Sequence, residues 1–413
     1  MTNNLYTENR KELVESIEKG EAVILFSGHA PKKTADEKYP FAPNRNFLYM
    51  TGVVEENIIL YLEKTESQIK ETLFIHRYDE LKAKWNGETV SPEKATELSG
   101  IDEIRFMDEF ENVMHQKIQS GTLHKVWLDM EKDSFTAEYC PGGRFARVLK
   151  SEYPQLNIGD IFPQIASQRV IKSPEEVAEI RRAIEITRDA IFNIWKNRRP
   201  GAYEYEMEAE FDYILKKNGV KDFAFKTICA GGKNAAVLHY VENNQMIKDG
   251  DLLLLDLGAQ WNYYSADISR TFPINGKFSE RQKELYQIVR LAMDRVFEAI
   301  KPGVPFKRLN EIVRETYAEE LKRIGLIEDP AEVQKYYFHG VTHYLGLDTH
   351  DVGSRDQDLA PGMVLTVEPG LYIPEEGIGI RIEDDVLVTE TGMENLSHDI
   401  PKDIEDIEGV LAN

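Results

Sequence analysis

Asp256, Asp267, His343, Glu368 and Glu383 each fall inside a short apolar segment that reads as strand: LLLLDLGA, YSADISRTF, HGVTHYLGLDTHD, VLTVEPGLYI and GIGIRIEDDVLVT. Such segments are where charge is least expected, because an unpaired carboxylate is costly to bury. A chain that places four acids and an imidazole there needs a compensating partner, and a cation is the simplest. The set is too large for one structural zinc and forms a hard, oxygen-rich group of donors suited to manganese or a similar divalent ion. Four ionised carboxylates balance the charge of two such ions.

The spacing adds constraint. Asp256 ends an apolar run, Gly258 follows, and the polar stretch from Gln260 to Tyr264 leads into a second run carrying Asp267, so the two acids read as partners across a hairpin. Glu368 lies in a β-rich run stopped by Pro369 and Gly370. From Ile378 to Glu383, period two puts Arg381 and Glu383 on one face and Ile380 and Ile382 on the other. Any one of these acids alone reads equally well as a salt-bridged strand end; five in such settings point to a metal site.

These segments resemble the proline-specific metallopeptidases of the pita-bread fold, and most closely the Xaa-Pro aminopeptidase (aminopeptidase P) family. The resemblance implies an N-terminal α/β domain over residues 1–165. It is followed by a catalytic domain over 166–413, a pseudo-two-fold antiparallel sheet covered by helices. It also implies a dinuclear centre in which Asp256 binds one ion, Asp267 and Glu383 bridge, and His343 and Glu368 hold the other. The ions would be Mn2+, with Zn2+ or Co2+ as alternatives. The metal-free creatine-hydrolysing branch lacks this full set.

Other parts of the sequence fit a soluble, cytoplasmic enzyme. The chain has 413 residues, enough for two domains. Its 50 basic against 72 acidic residues give a net charge of −22, which opposes nucleic-acid or anionic-membrane binding. The polar start MTNNLYTENRK lacks the plan of a signal peptide, and no stretch reads as a membrane span. Only Cys140 and Cys229 are present, outside any CxxC pattern, so reduced thiols are expected. Cys229 lies near His239, but the metal site leaves a nucleophilic cysteine no task.

Strands are predicted at Ala22–Phe26, Asn57–Lys64 and Lys125–Met130. Ser173, Pro174 and Glu176 predict a capping box opening a long helix. Beyond it the order reads helix, helix, strand pair, helix, helix, strand pair, with amphipathic helices over 279–300 and 306–324. The stretch DEKYPFAPNRNFLYMTGV, Asp36 to Val53, resembles the N-terminal domain's own signature and counts against methionine aminopeptidase.

His239, in AAVLHY, reads by itself as a satisfied core histidine. The resemblance instead places it with His350 facing the substrate carbonyl, where an imidazole can donate to oxyanion charge or shuttle a proton. His339 reads equally as pocket lining or packing, and the resemblance adds Tyr372 to the substrate-binding residues. Arg381 is either a plain strand-face cation or a group orienting the carboxylates and His350. Trp85, in KAKWNG, is an exposed aromatic or part of a loop reaching a neighbouring subunit's site. His29, His76, His115, His124 and His398 carry no comparable context.

Two divalent ions would bring a water's pKa near neutrality, and Glu368 would act as general base. The expected activity is hydrolysis of the bond between an N-terminal residue and a penultimate proline. The expected partners are such peptides and further copies of the chain in a homodimer or homotetramer. Prolidase, which cleaves only Xaa-Pro dipeptides with the same core, is the alternative; a non-enzymatic binding module has no reason to keep these residues together.

Overall fold

In a computed structural model, which describes residues 3–132, 134–137 and 139–412, the chain divides into units of residues 1–168 and 169–413. The N-terminal unit is built on β1 (Glu21–Phe26), β2 (Ile59–Lys64), β3 (Ile69–Ile75), β4 (Glu103–Phe106), β5 (Lys125–Leu128) and β6 (Asn157–Asp160), in the order β4-β3-β2-β1-β5-β6. The β1–β2 and β2–β3 pairs are antiparallel and the outer pairs parallel. Around this sheet run α1 (Asn3–Glu15), α2 (Arg45–Thr51), α3 (Glu80–Asn86), α4 (Pro92–Ser99), α5 (Met107–Gln119) and α6 (Pro141–Glu152). Alternate residues Ala22, Ile24, Ile59, Tyr61 and Phe74 face Phe110, Val113 and Met114 of α5, with Phe74 edge-on to Phe110 at 5.1 Å.

The segment around Trp85 reads as loop in the sequence but is helical. Asp79 caps α3 by accepting from the N–H groups of Leu81 and Lys82. No residue of α3 is buried, so the helix is held by its cap and by the Lys84–Glu80 ion pair.

α7 (Phe162–Val170) spans the boundary between the units. In the C-terminal unit, α8 (Pro174–Asn197) opens with the expected capping box: Ser173 accepts from the Glu176 N–H and Glu176 accepts from the Ser173 N–H. α9 (Glu204–Lys217) packs on α8, and β7 (Ile228–Gly231), β8 (Leu252–Leu257) and β11 (Ile268–Pro273) form a three-stranded sheet in the order β11-β8-β7. A small hairpin of β9 (Gln260–Trp261) and β10 (Tyr264–Ser265) interrupts it. The second half repeats the plan. α10 (Glu280–Ala299) packs on α11 (Phe306–Arg323), followed by β12 (Val364–Val367), the hairpin β13 (Gly370–Ile373) and β14 (Ile378–Arg381), and β15 (Asp384–Val388) with β16 (Met393–Asn395). Here the sheet order is β12-β15-β16. α12 (Ile404–Leu411) closes the chain. Two helix-covered half-sheets in this arrangement make the pita-bread fold of the C-terminal unit.

The half-sheets meet where β11 runs beside β14 and the start of β15: the Glu383 N–H donates to the Ser269 carbonyl at 3.0 Å, and the Thr271 hydroxyl bonds both backbone groups of Arg381. Two glycines permit close backbone packing here. Between the halves, a Cβ on Gly379 would stand 1.9 Å from the Ala235 carbonyl oxygen; within the first half, one on Gly258 would stand 1.8 Å from that of Ala266.

Candidate metal centre

The donor side chains collect at this seam, but four of the five lie outside regular strand. Asp256 is inside β8, opposite Ser269 of β11. Asp267 sits between β10 and β11, Glu368 follows the last residue of β12, and Glu383 lies in the break between β14 and β15. His343 is on an irregular segment whose Val341 and His343 carbonyls accept from the Glu368 and Thr366 N–H groups beside β12. The expectation of five strand residues is therefore corrected to one strand residue and four at interruptions. The reason is geometric: regular strands aim successive side chains to opposite faces, whereas a break re-aims one of them toward a common centre.

Asp267, His343 and Glu383 present donor atoms that all lie within 4.8 Å of one another, and all three side chains are buried. His343 Nε2 is 3.4 Å from Asp267 Oδ2 and 3.6 Å from Glu368 Oε1. Its Nδ1 is 2.9 Å from the Tyr344 carbonyl oxygen, which fixes that nitrogen as the N–H and leaves Nε2 as the electron-pair donor.

The carboxylates are in electrostatic conflict without a cation. Burial, followed by the charges of Asp256, Asp385 and Glu368, pushes Asp267 well above the usual range. Burial with Asp267, Glu368 and Asp256 does the same to Glu383. Burial raises Glu368 to about 7 despite the opposing pull of His343 and Arg381. Asp256 Oδ1 is buried with no hydrogen-bond partner among the described residues. An orphaned oxygen, mutually repelling carboxylates and a correctly presented imidazole fit divalent cations held by Asp256, Asp267, His343, Glu368 and Glu383.

Arg381 is fully buried and shares its donors among Asp256 Oδ2 at 2.5 Å, the Ser269 hydroxyl at 2.9 Å and the Tyr372 hydroxyl at 2.9 Å. Among the described residues no hydrogen bond joins it to His350, so the orienting contact expected there is replaced by one to Tyr372. The Tyr372 hydroxyl is 3.0 Å from His339 Nε2, and His339 Nδ1 lies 3.7 Å from Glu368 Oε2. Burial and the nearby Arg381 guanidinium lower His339 to about 4. His350 packs edge-on against His343 with centroids 4.4 Å apart; burial, then His343, lowers it to about 4. His239 is exposed, and a charge on it acts on both His339 and His350. Trp85 belongs to the N-terminal unit and is 82% exposed. Cys229 is buried within β7, where burial pushes its thiol far up, which excludes it as a thiolate nucleophile.

A supporting set of buried charges was not anticipated from sequence. The fully buried Arg270 uses all five of its N–H groups. They reach the carbonyls of Ser269, Glu383, Ile400 and Pro401 and the Asp384 carboxylate at 2.6 Å. Asp385 Oδ2 accepts the Asp267 N–H at 3.1 Å. Beside His350, the buried Asp351 accepts from Arg169 at 2.5 Å and Lys172 at 2.9 Å. The one available signal was the run Glu383-Asp384-Asp385 in apolar text, where three successive acids imply partners on both faces of a strand.

Comparison with known proteins agrees with this geometry. Residues 178–390 match the model of metallopeptidase family M24, and residues 6–127 match the aminopeptidase P N-terminal domain. A Haemophilus influenzae Xaa-Pro aminopeptidase is 34% identical, with 98% of this chain and 96% of the relative covered. A solved Bacillus anthracis protein assigned as aminopeptidase P superposes with a TM-score of 0.98 at 47% identity, covering 100% of this chain and 99% of that one. Zinc-substituted Escherichia coli aminopeptidase P in complex with product gives 0.90 at 33% identity, covering 100% and 98%. With the resemblance and the fold both borne out, this chain belongs to metallopeptidase family M24, with an aminopeptidase P N-terminal domain.

Proposed function

We infer that the chain is an Xaa-Pro aminopeptidase, a hydrolase that releases the N-terminal residue of a peptide whose second residue is proline. The observation that carries this reading is the gathering of Asp267, Glu368 and Glu383 around His343, in a chain similar to aminopeptidase P along its whole length. When bound, two divalent ions would supply a water acidified to near neutrality and a polarised scissile carbonyl.

The chain's own residues do the rest. Glu368 accepts the proton of the attacking water and delivers it to the departing proline nitrogen as the C–N bond breaks. His239 and His350 face the carbonyl oxygen and donate to its developing charge. Arg381 holds Asp256 and the Tyr372 hydroxyl in register, and Tyr372 with His339 lines the substrate side of Glu368. We assign Mn2+ as the native ion on the oxygen-rich donor set. A homo-oligomer is proposed on the 82% exposed Trp85, which an unpartnered protomer would leave in water. A cytoplasmic location is proposed on the two unpaired thiols.

The deciding experiment compares an Xaa-Pro-Yaa tripeptide with the matching Xaa-Pro dipeptide, using protein stripped of metal and reloaded with Mn2+, Zn2+ or Co2+. Release of the first residue from the tripeptide, dependent on added ion and best with Mn2+, is expected. Turnover of the dipeptide alone would make the protein a prolidase, and full activity of the stripped protein would exclude the metal mechanism.

A further inference from the structure

We propose that Glu204 is the positioning residue for His239: its carboxylate gathers the loop that carries this histidine and sets where the imidazole stands in the site. The proposal deepens the aminopeptidase reading and rests on it. Glu204 is the first residue of α9 and is fully buried. Its Oε1 accepts from the Gly231 N–H and from Asn234 Nδ2, both at 2.8 Å. Its Oε2 accepts from the Tyr240 hydroxyl at 2.8 Å and from the Gln245 N–H at 2.9 Å.

All four donors belong to the segment between β7 and residue 245, and they bracket His239 on both sides. Two bonds per oxygen satisfy a buried carboxyl group's hydrogen-bonding capacity. A second set of contacts fixes the same segment from the sheet side. Leu238 and Tyr240 pack against Ile228, Ala230, Leu254 and Tyr372, while Ala235 meets Gly379 at backbone distance. With both neighbours turned inward, His239 is left pointing out of the cluster, within electrostatic reach of His339 and His350. Among the described residues no other hydrogen-bonds both the beginning and the end of this loop through one charged group, and Glu204 itself is far in sequence from every donor of the metal centre.

Glu204→Gln keeps the shape but turns an NH2 group on two of the four donors. It is expected to lower kcat/KM on the tripeptide by ~10-fold or more, as small misplacements of a reacting group do, with metal content unchanged. In a His239→Ala background the same change should cost nothing further, because non-additivity is the signature of a residue acting through another. The imidazole resonance of His239, assigned by its loss in His239→Ala and recorded on the full zinc-loaded chain, should move in Glu204→Gln. Should that variant fail to fold, Tyr240→Phe removes one donor only and should move the resonance in the same direction. An unmoved resonance, or losses that multiply in the double variant, would overturn the proposal. If the wild-type chain releases no residue from Xaa-Pro peptides, the functional reading fails by itself, and the resonance still decides whether Glu204 places His239.

Discussion

Glutamine at position 368 keeps the size of the side chain and removes its capacity to take up a proton. Glu368→Gln is expected to lower kcat by roughly 10² or more, as loss of a general base commonly does, with the circular dichroism spectrum unchanged; a near-wild-type rate would assign the base elsewhere. His343→Ala should act through the ions, seen as lower metal content by elemental analysis. The raised carboxyls also give the metal-free protein a characteristic pH response. Glu368 is raised from 4.5 to about 7, and Asp267 and Glu383 are raised as well. Such groups bind protons in the folded state that the unfolded chain has already released. The stabilisation from these protons is complete below pH 4.5 and is lost as pH rises through 7. His339 and His350, both lowered from 6.5 to about 4, act in the opposite sense between those values, so melting curves in chelator should fall once pH passes 6.5, and Mn2+ should remove the slope; a melting temperature that rises above pH 6.5 would contradict the assignment. At this scale the donor residues were legible because each stands out against its own apolar word. Arg270, Asp385 and Glu204 were not, since each is a charged residue whose partners lie many residues away and leave no local trace.

Local signals carried the elements well. The capping box at Ser173 is a four-residue pattern, so the start of α8 followed from sequence, as did the extents of α10 and α11 from their apolar period. The strand reading of the donor segments failed at four of five positions because interruptions are set by what approaches from the other half-sheet, and periodicity along one segment does not record that. α3 was missed for the opposite reason: it buries nothing, so no apolar stripe announces it. Ser173→Ala should cost about 1 kcal/mol in a denaturant melt, the usual worth of an N-cap. Asp351→Ala should cost more, about 3 kcal/mol or above, because Arg169 and Lys172 would be left buried without their shared anion. Since Asp351 follows His350 directly, the loss should appear in activity as well as in the melt. A surface-like effect below about 0.5 kcal/mol would show that water replaces the carboxylate freely.

At the scale of the whole molecule, a chelator should abolish activity and lower the melting temperature together, since ions that bind only the folded chain stabilise it by mass action. Sedimentation at micromolar concentration is expected to show a homo-oligomer; a monomer alone would remove any role for Trp85 beyond its own subunit. The two matching families were readable from the signatures at Asp36–Val53 and at the donor segments. What no segment could disclose is how the tail takes part. Arg270 binds the carbonyls of Ile400 and Pro401 with the same guanidinium that holds the backbone of Ser269 and Glu383, and Lys402 reaches Asp384 at 2.8 Å. Trimming the chain before Ile400 would strip two acceptors from a buried cation, so a protease that nibbles the carboxyl end becomes an inactivator of the catalytic centre, whereas a tag fused beyond α12 leaves those contacts alone.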